Sequence, residues 1–546
     1  MPDVRRVYRG QIVDLVRGAI FPGEVAVKDG KIEGITRVKS APMVFITPGL
    51  IDSHGHIESS KVVPWEYMRM AVRYGVVGFV NDPHEIANVC GVPGIDWMLD
   101  NAFGALFHFW FGAPSCVPAS PFETAGAVIC PDTFGELIRR PELRFGAEFM
   151  DFPGVNCGRE NVLAKLAHCR AAGKPIDGHV LGYSLEELQI YRSRGPSTNH
   201  EATTFEEGRD NITAGIQLLI REGGAAKDFD ALIGLLPEFP GQVMFCCDDI
   251  PASRLRECYL DYHVRRAIGT LGLNSIDVLR AASLNPARHY GIPVGMLQVG
   301  DRADFVIVSD LANFAVQTTV LGGEVVFDQG EVLIAPRPVE PINCFNREQV
   351  LPDFFRVPVE GDNIRVIKAI DGKLVTEEEI HAAEVEDGHY VSCPGRDLLK
   401  MAVIDRYDPT RPPSFGFIRG IGIKRGAVAS TVVHDGHHLL VIGCTDEEMA
   451  AAANALIRVK GGYAVASGDR VDILPLPIAG LMSAESGEFV CKRYLQLAEI
   501  LRALGTTLGD PLMTISFMGL TVIGKLKLGN LGLVRGATEI VSLAAK

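Results

Sequence analysis

The most informative segment of this sequence is Pro48-Gly49-Leu50-Ile51-Asp52-Ser53-His54-Gly55-His56, because in it an apolar run ends in two histidines two residues apart. Residues i and i+2 of a β-strand point to the same side of a sheet, so both imidazoles can face one point. At the carboxyl end of a first barrel strand, that point is the mouth where active sites lie. Imidazole binds zinc, iron, manganese or nickel, so His54 and His56 can supply half of a metal site. Two satisfied or exposed histidines in a loop are the alternative interpretation.

Three later segments place further candidate ligands after strand-like runs. In chain order these ligands are His179 after 175–178, His200 one strand–helix step later, and Asp248 with Asp249 after 243–247. Each of them taken alone would more often be structural, since buried polar side chains usually serve hydrogen bonds. Four strand ends in this order, each offering an imidazole or a carboxylate, indicate a metal centre at one end of a barrel.

Between about residues 48 and 292, apolar runs alternate with helix-like segments. Residues 276–290 carry the apolar stripe of a helix, and residues 214–220 also look helical. About 240 residues of strand–helix repetition is the size of a TIM barrel. The sequence therefore predicts an α/β fold built on a (β/α)8 barrel over residues 48–292. The clearest strand-like runs are continuous rather than alternating, as is typical of parallel strands buried on both faces, and they are 76–80, 145–150 and 242–246.

Short strands separated by turns flank the barrel on both sides. Asp29-Gly30 stands between alternating apolar residues, which is a strong hairpin signal. A similar pattern returns after the barrel, so we expect residues 1–47 and 293–335 to pair into one small β-sandwich domain. The Pro-rich stretch 335–341 then marks a boundary. Residues 345–546 have strands, helices and glycines of their own and are predicted to form a C-terminal α+β domain.

The composition excludes several classes of protein. The 546 residues include 53 basic and 67 acidic side chains, which gives a net charge of −14, and 47% of the residues are apolar. This suits a globular chain with a large core, and the acidic balance argues against nucleic-acid polymers and anionic membranes as partners. No segment is apolar over the roughly 20 residues that a bilayer-spanning helix needs. The N-terminus lacks the apolar region of a signal peptide, so we expect a cytoplasmic protein whose 12 cysteines are reduced thiols.

These motifs resemble those of a known family. The order H-x-H, His, His, Asp along a barrel, with flanking β-sandwich strands, is similar to the amidohydrolase superfamily of metal-dependent hydrolases, and more closely to its bacterial adenine deaminases. The resemblance covers nearly the whole chain, and two long phrases make it specific, DPHEIAN at 82–88 and PSCVPA at 114–119. The other matching phrases are PGLIDSHGHIESS at 48–60, DGH at 177–179, HE at 200–201, REG at 221–223, CDD at 247–249 and NPA at 285–287.

The resemblance implies a centre of two divalent ions, manganese or iron, with zinc as the alternative. His54 and His56 would hold one ion together with Asp248, while His179 and His200 would hold the other. A bridging ligand is expected on the fourth strand, where the adenine deaminases use a glutamate, and the matching run 146–150 assigns that role to Glu148. A surface carboxylate is the alternative for Glu148, but its apolar neighbours argue against a solvated position.

The activity implied by the resemblance is the hydrolysis of adenine to hypoxanthine and ammonia. A metal lowers the pKa of bound water from about 15.7 towards 7, so hydroxide can attack C6 of adenine at neutral pH. Ammonia is a poor leaving group until it is protonated, so a carboxylate must accept the proton of the water and pass it on. Asp248 is the first candidate for this transfer and Asp249 the second. Asp249 is also a candidate for binding the substrate.

Five other residues are candidates for the same site. His84 and Glu85 follow the second strand-like run and can hydrogen-bond the purine or move protons, although Pro83 could instead make a turn after which the pair caps a helix. Glu201, beside His200, has a weaker claim to the same role. Ser115 and Cys116 are expected to line the pocket, and Cys116 shows no sign of a histidine-paired nucleophile.

Two further groups of polar residues are given structural roles. Arg221 and Glu222 end the helix-like segment 214–220, and we expect an ion pair there that orients loops. His434, His437 and His438 look like a second metal cluster by composition. Because adjacent residues on a strand face opposite sides, pocket closure or a structural role is the better interpretation of these histidines.

The sequence thus predicts an adenine deaminase of purine salvage that takes a small nucleobase as substrate and assembles as a homodimer. Three alternatives stay open. One is a deaminase of another aminopurine, and one is a cyclic-amide hydrolase, which would normally carry a lysine in place of Glu148. The last is a non-catalytic metal- or purine-binding protein on a decayed barrel, against which the full ligand set argues.

Overall fold

The computed structural model describes residues 5–224 and 226–545, and a barrel of eight strands lies at its centre. Each strand pairs in parallel with the next within two sheets of five and three strands. Ser197 N donates to Ile176 O at 2.8 Å between the two sheets, and a parallel bridge from Gly55 to Asp248 closes the ring. In order, the barrel strands are Leu50–Gly55, Val76–Asn81, His108–Ala113, Leu143–Phe149, Ile176–Gly178, Thr198–Asn199, Gln217–Arg221 and Val243–Cys246.

Burial on both faces explains the continuous apolar runs of these strands. All residues of Val76–Asn81 and of Val243–Cys246 are buried, and in Leu143–Phe149 Arg144 is the single exposed one. The three runs predicted as strands are confirmed. Because side chains of a parallel barrel strand point alternately into the barrel and towards the surrounding helices, both faces are buried and the strands are mostly apolar.

The seventh strand corrects the helix expected over residues 214–220. The preceding helix Phe205–Thr213 ends there, Gly215 turns the chain with φ of 83°, and Gln217–Arg221 runs as a strand. Leu218 to Arg221 pair with Val243 to Cys246 in parallel. A short apolar run has no period by which a buried strand can be told from a buried helix, so pairing decided the outcome.

Helices alternate with the barrel strands along the chain. The helix predicted over residues 276–290 is confirmed as three consecutive helical segments, Ser275–Leu279, Arg280–Leu284 and Asn285–Tyr290. Among the described residues, no helix combines the length and apolarity needed to cross a membrane. The other helices of this region are Pro64–Ala71, His84–Cys90, Val92–Ala102, Pro131–Arg139, Phe152–Cys157, Glu160–Ala172, Leu185–Ser193, Phe205–Thr213, Phe229–Leu232, Ala252–Glu257, Leu260–Arg265 and Arg266–Thr270, with short 3-10 turns at Ile57–Ser60, Val72–Tyr74 and Ile233–Leu235.

An eight-stranded sheet joins chain from before and after the barrel. Phe45–Pro48 pairs antiparallel with Phe305–Val308, which links the two halves. The hairpin predicted at Asp29-Gly30 is confirmed, with positive φ at both residues. From edge to edge the strands are Glu331–Val332, Glu324–Asp328, Val316–Leu321, Phe305–Val308, Phe45–Pro48, Arg6–Asp14, Ala19–Lys28 and Lys31–Arg37.

The C-terminal region forms a second eight-stranded sheet with helices. Its strands in order are Glu377–Ala382, Asn363–Lys368, Ser414–Arg419, Leu399–Ile404, Leu439–Gly443, Ala427–Ser430, Gly462–Ser467 and Arg470–Pro475. Two small sheets add Val357–Pro358, His389–Val391 and Glu384–Glu386, and Leu526–Gly529, Gly532–Arg535 and Glu539–Val541. The helices are Asp446–Val459, Gly487–Leu504 and Pro511–Ser516, with 3-10 turns at Pro352–Phe355 and Pro394–Arg396.

This C-terminal region packs on the barrel close to the H-x-H motif. Ser483 N donates to Lys61 O at 2.9 Å, and Thr124 N donates to Asn530 Oδ1 at 3.0 Å. The predicted fold class, an α/β barrel with added β-domains, is confirmed. The domain boundaries drawn from the sequence stay a prediction.

Candidate active site

The two histidines of the H-x-H motif lie next to the end of the eighth strand. The His54 carbonyl oxygen accepts a hydrogen bond from Asp248 N at 3.0 Å, which brings the two strand ends together. Asp248 Oδ1 then lies 3.2 Å from His56 Nε2 and 3.6 Å from His54 Nε2. His56 Nδ1 is 3.0 Å from the Asp82 carbonyl oxygen, and this contact turns Nε2 towards Asp248.

Glu148, on the fourth strand, stands between two pairs of histidines. Its Oε1 lies 3.4 Å from His56 Nε2 and 4.0 Å from His54 Nε2. Its Oε2 lies 2.7 Å from His179 Nδ1 and 3.5 Å from His200 Nε2. Each carboxylate oxygen therefore faces a different pair of imidazoles, which is the arrangement that a carboxylate shared by two metal ions requires.

The chemistry of these side chains fits a divalent metal centre. Two of the groups able to hold an ion are His54 with His56 and Asp248, and His54 with Glu148 and His200. Within the described part of the chain, neither ring nitrogen of the buried His54 has a hydrogen-bond partner. Buried polar atoms are nearly always hydrogen-bonded or bound to a ligand, so we expect the His54 ring to bind a group that is not part of the protein, such as a metal ion. Imidazoles with carboxylates are ligands that zinc, iron and manganese accept.

The electrostatic surroundings keep both central carboxyls ionised. Burial would raise the pKa of Glu148, but the hydrogen bond with His179 and the charges of the surrounding histidines hold it well below its usual range. Burial would also raise the pKa of Asp248, but His56 and the Arg221 guanidinium hold it low as well. At neutral pH both groups are therefore available as anionic ligands or as proton acceptors.

Arg221, at the end of the seventh strand, is a site residue that sequence reasoning placed elsewhere. Its Nη1 lies 2.5 Å from Glu201 Oε1 and 2.9 Å from Asp248 Oδ2. Glu201 Oε1 is in turn 3.2 Å from His200 Nε2, so Arg221 connects the two sides of the histidine cluster. The signal that would have found Arg221 is its position at a strand end, and the helix interpretation of 214–220 concealed it.

His84 and Glu85 begin the helix that follows the second strand, and both also line the central cavity. The Asp82 carboxylate fixes His84 through contacts of 3.0 Å with its backbone nitrogen and 3.1 Å with Nδ1. Glu85 Oε1 lies 2.5 Å from His434 Nδ1, and Glu85 Oε2 is hydrogen-bonded to His437 Nε2. The Glu85 carboxylate is therefore held by two histidines of the C-terminal region.

Residues from both regions of the chain enclose a cavity of about 40 Å³ at this point. The barrel contributes the polar cluster, while the C-terminal region contributes His434 and Asp435 and an apolar wall. A single sequence carries no signal for that wall, because its residues reach the site by packing alone. The wall consists of Leu374, Phe517, Leu520, Val522 and Ile523.

The remaining predicted residues divide between the cavity and its surroundings. Asp249 lines the cavity and accepts a hydrogen bond from Ser59 Oγ. Ser115 Oγ donates to the Glu148 carbonyl oxygen at 2.6 Å, and Cys116 packs against Met150. In contrast to the expectation from the sequence, Ser115 and Cys116 are not among the described residues that line the cavity. Burial raises the pKa of the Cys116 thiol, which keeps it protonated.

Comparison with known proteins places these features in context. The sequence profile of the amidohydrolase family matches residues 45–326, and that of the adenine deaminase C-terminal domain matches residues 373–539. The adenine deaminases of Salinibacter ruber and Methanosarcina barkeri are each 45% identical to this chain, and each alignment covers 97% of both chains. A solved β-aspartyl dipeptidase from Fervidobacterium islandicum AW-1 is 14% identical with a TM-score of 0.46, over 61% of this chain and 99% of that one.

Proposed function

Because this chain belongs to the adenine deaminase family of amidohydrolases, we propose that it hydrolyses adenine to hypoxanthine and ammonia. The family predicted from the sequence is thereby confirmed, as is its class of hydrolases that act on C–N bonds. The observation that carries the proposal is the position of Glu148, with one oxygen facing His54 and His56 and the other facing His179 and His200.

The family implies a divalent metal, and this chain offers ligands for two ions. We assign Glu148 as the carboxylate shared by the two ions. His54, His56 and Asp248 would hold one ion, and His179 and His200 would hold the other. When bound, such ions lower the pKa of coordinated water towards 7 and so make hydroxide available at neutral pH. We favour manganese or iron over zinc, since a shared carboxylate suits either.

Asp248 is the group that we assign to proton transfer. Its Oδ2 is held by Arg221 at 2.9 Å, so only Oδ1 faces the histidine cluster. Because its pKa is held low, the carboxylate is ionised at neutral pH and can accept a proton from the attacking water. Delivery of that proton to the amino nitrogen at C6 turns the nitrogen into a leaving group, and ammonia departs.

The remaining cavity residues bind and orient the base in this proposal. Glu85 and Asp249 line the cavity around the base, while His84 stands beside Glu148 at 3.5 Å. Glu201 acts through Arg221, which it pairs with. Ser115 and Cys116 support the backbone at Glu148 and do not contact the base.

The test is the release of ammonia from adenine by manganese-loaded protein. We expect turnover by the wild type and a loss of about 10²–10⁴-fold in Asp248→Asn, because a proton-transferring group contributes that much. Asp132→Asn removes an exposed carboxylate on the helix Pro131–Arg139 and serves as the matched control. Full activity of Asp248→Asn would contradict the assignment. Turnover of another aminopurine in place of adenine would change the substrate and leave the mechanism.

Metal analysis tests the rest of the proposal. Two equivalents of metal per chain are expected, and less than one would favour the non-catalytic binding protein. A cyclic-amide hydrolase is disfavoured by Glu148, which stands where such an enzyme would carry a lysine. The homodimer and the cytoplasmic location stay predictions, and light scattering of the purified protein checks the first.

A further inference from the structure

A loop of the C-terminal region reaches into the cavity between the strands Ala427–Ser430 and Leu439–Gly443. It carries His434 and Asp435, which line the cavity although their side chains are only 5% and 4% exposed. The His434 ring is held by Glu85 on one side and stacks on Phe517, with centroids 4.6 Å apart, on the other. This packing fixes the loop at the cavity wall.

Among the described residues of this loop, three buried side-chain atoms have no hydrogen-bond partner, and two of them, on His434 and Asp435, belong to residues that line the cavity, whereas the third is His438 Nδ1. Within the described chain, neither His434 Nε2 nor Asp435 Oδ2 makes a hydrogen bond, and both atoms are buried. Buried polar atoms in folded proteins are nearly always hydrogen-bonded. A molecule in the cavity is therefore expected to supply the partner, and a carboxylate oxygen requires a donor.

Asp435 stands away from the proposed metal ligands, across the ring of His84. His84 Nδ1 lies 3.5 Å from Glu148 Oε1, while its Nε2 lies 3.8 Å from Asp435 Oδ1. A base bound with its reacting carbon at Glu148 and Asp248 would thus direct another edge towards Asp435. Adenine has two donor groups, the amino group at C6 and one N–H of the five-membered ring. Because the amino group must face Asp248, the ring N–H is the donor left for Asp435.

We propose that Asp435, with His434 beside it, binds the ring N–H of adenine and so selects the free base over purines substituted at N9. This inference rests on the proposed function. A substituent at N9 replaces the donor by carbon and leaves the buried carboxylate without a partner, which costs more than an unmade exposed hydrogen bond. The C-terminal region would thereby set the specificity of a reaction whose chemistry lies on the barrel.

The experiment compares adenine with 9-methyladenine as substrates of the manganese-loaded full chain. The wild type is expected to prefer adenine in kcat/KM by at least about 100-fold, since a buried polar group is left unpaired by the analogue. Asp435→Ala should lower kcat/KM for adenine by about 10- to 100-fold, mainly through KM, and reduce that preference to a few-fold. Asp435→Asn keeps an acceptor oxygen and should fall between the two.

His438→Gln is the matched control. His438 belongs to the same loop and is equally buried, but its Nε2 contacts the Thr124 carbonyl oxygen at 2.7 Å, and His438 is outside the set of described residues that line the cavity. This variant should keep the wild-type preference, and thermal unfolding of all variants reports whether the loop is still folded. A preference that is unchanged in folded Asp435→Ala, or lost equally in His438→Gln, would overturn the proposal.

Two further outcomes separate this inference from its rivals. His84, Glu85 and Asp435 are close enough to hold a cation, so loss of one metal equivalent in Asp435→Ala would make it a ligand and overturn the proposal. If the wild type releases no ammonia from adenine, the proposed function fails by itself. Equilibrium dialysis then decides the inference, because tighter binding of adenine than of 9-methyladenine should vanish in Asp435→Ala.

Discussion

Arg221 is the residue that holds the side chains of the site in place beside the proposed metal ligands. It is 2% exposed and contacts three carboxylates, Glu201, Asp248 and Asp228, the last at 3.2 Å. Buried charges are tolerated only when their hydrogen-bonding positions are filled, and a guanidinium fills several at once. Arg221 therefore fixes Asp248, the group to which proton transfer is assigned in the proposed function, and it keeps Glu201 ionised.

Two substitutions of Arg221 distinguish the effect of its positive charge from the effect of its hydrogen-bonding geometry. Arg221→Lys keeps the charge but loses the planar guanidinium, whose several N–H groups bind more than one carboxylate at once. We expect kcat to fall by about 10- to 100-fold, because each hydrogen bond to a charged group contributes roughly 1.5–3 kcal/mol. Arg221→Met also leaves buried carboxylates unpaired, and about 3–5 kcal/mol of stability should be lost. Steady-state kinetics and thermal unfolding measure the two effects.

Arg209→Lys is the control for this pair of variants. Arg209 pairs with Glu238 on the surface at 2.9 Å, and exposed pairs contribute about 0–1 kcal/mol, so neither kcat nor the unfolding midpoint should change noticeably. A wild-type kcat in Arg221→Lys would show that the guanidinium geometry of Arg221 does not position Asp248.

At the scale of elements, the strand Leu526–Gly529 holds the apolar wall of the cavity. Lys527 on this strand is 1% exposed, and its Nζ donates to the carbonyl oxygens of Leu374 and Phe517, both at 2.7 Å. Both acceptors belong to residues that line the cavity. One buried amine thus ties two segments of the wall together, and its desolvation lowers the pKa of Lys527 to about 7.

This lowered pKa predicts a dependence of stability on pH. Between about pH 7 and the unfolded value of 10.5, the unfolded chain binds a proton that the folded chain does not, so stability falls as the pH is lowered through this range. One proton corresponds to about 1.4 kcal/mol per pH unit. Lys527→Met should flatten the change in unfolding midpoint between pH 9.5 and 7.5. An unaltered change in this variant would mean that Lys527 is charged in the folded protein.

Strand ends are the elements from which the site could be predicted. His54, His179 and Asp248 follow apolar runs, and each lies at the mouth of the barrel because parallel strands end on the same side. The seventh strand could not be predicted in this way, since a run of four buried residues has no periodicity that distinguishes a strand from a helix. The sequence pattern therefore assigns Arg221 to a structural ion pair.

At the scale of the whole molecule, a metal would act as a cross-link. The proposed ligands come from the first, fourth, fifth, sixth and eighth strands or the residues directly after them, so removing the ions should loosen the barrel as well as stop the reaction. A ligand that binds only the folded state stabilises it by about 2.7 kcal/mol at 100 times its dissociation constant. Chelation should lower the unfolding midpoint, and added manganese should restore it.

The control for this prediction is the His54→Ala protein. If the ions act through the proposed ligands, chelation should change the unfolding midpoint of His54→Ala less than that of the wild type. An equal change in both proteins would place the stabilising metal elsewhere.

The barrel and the candidate residues at its strand ends can be predicted from the sequence, because hydrophobic patterning and the spacing of ligands are local properties of a single chain, and the family follows from the resemblance of its motifs. Which side chains face those residues depends on how distant parts of the chain pack together. The apolar wall and Asp435 reach the cavity from the C-terminal region, and the contact of His437 with Glu85 joins positions 352 residues apart. Such contacts follow from the burial of two surfaces against each other, and that depends on the shape of both surfaces rather than on the pattern of either segment.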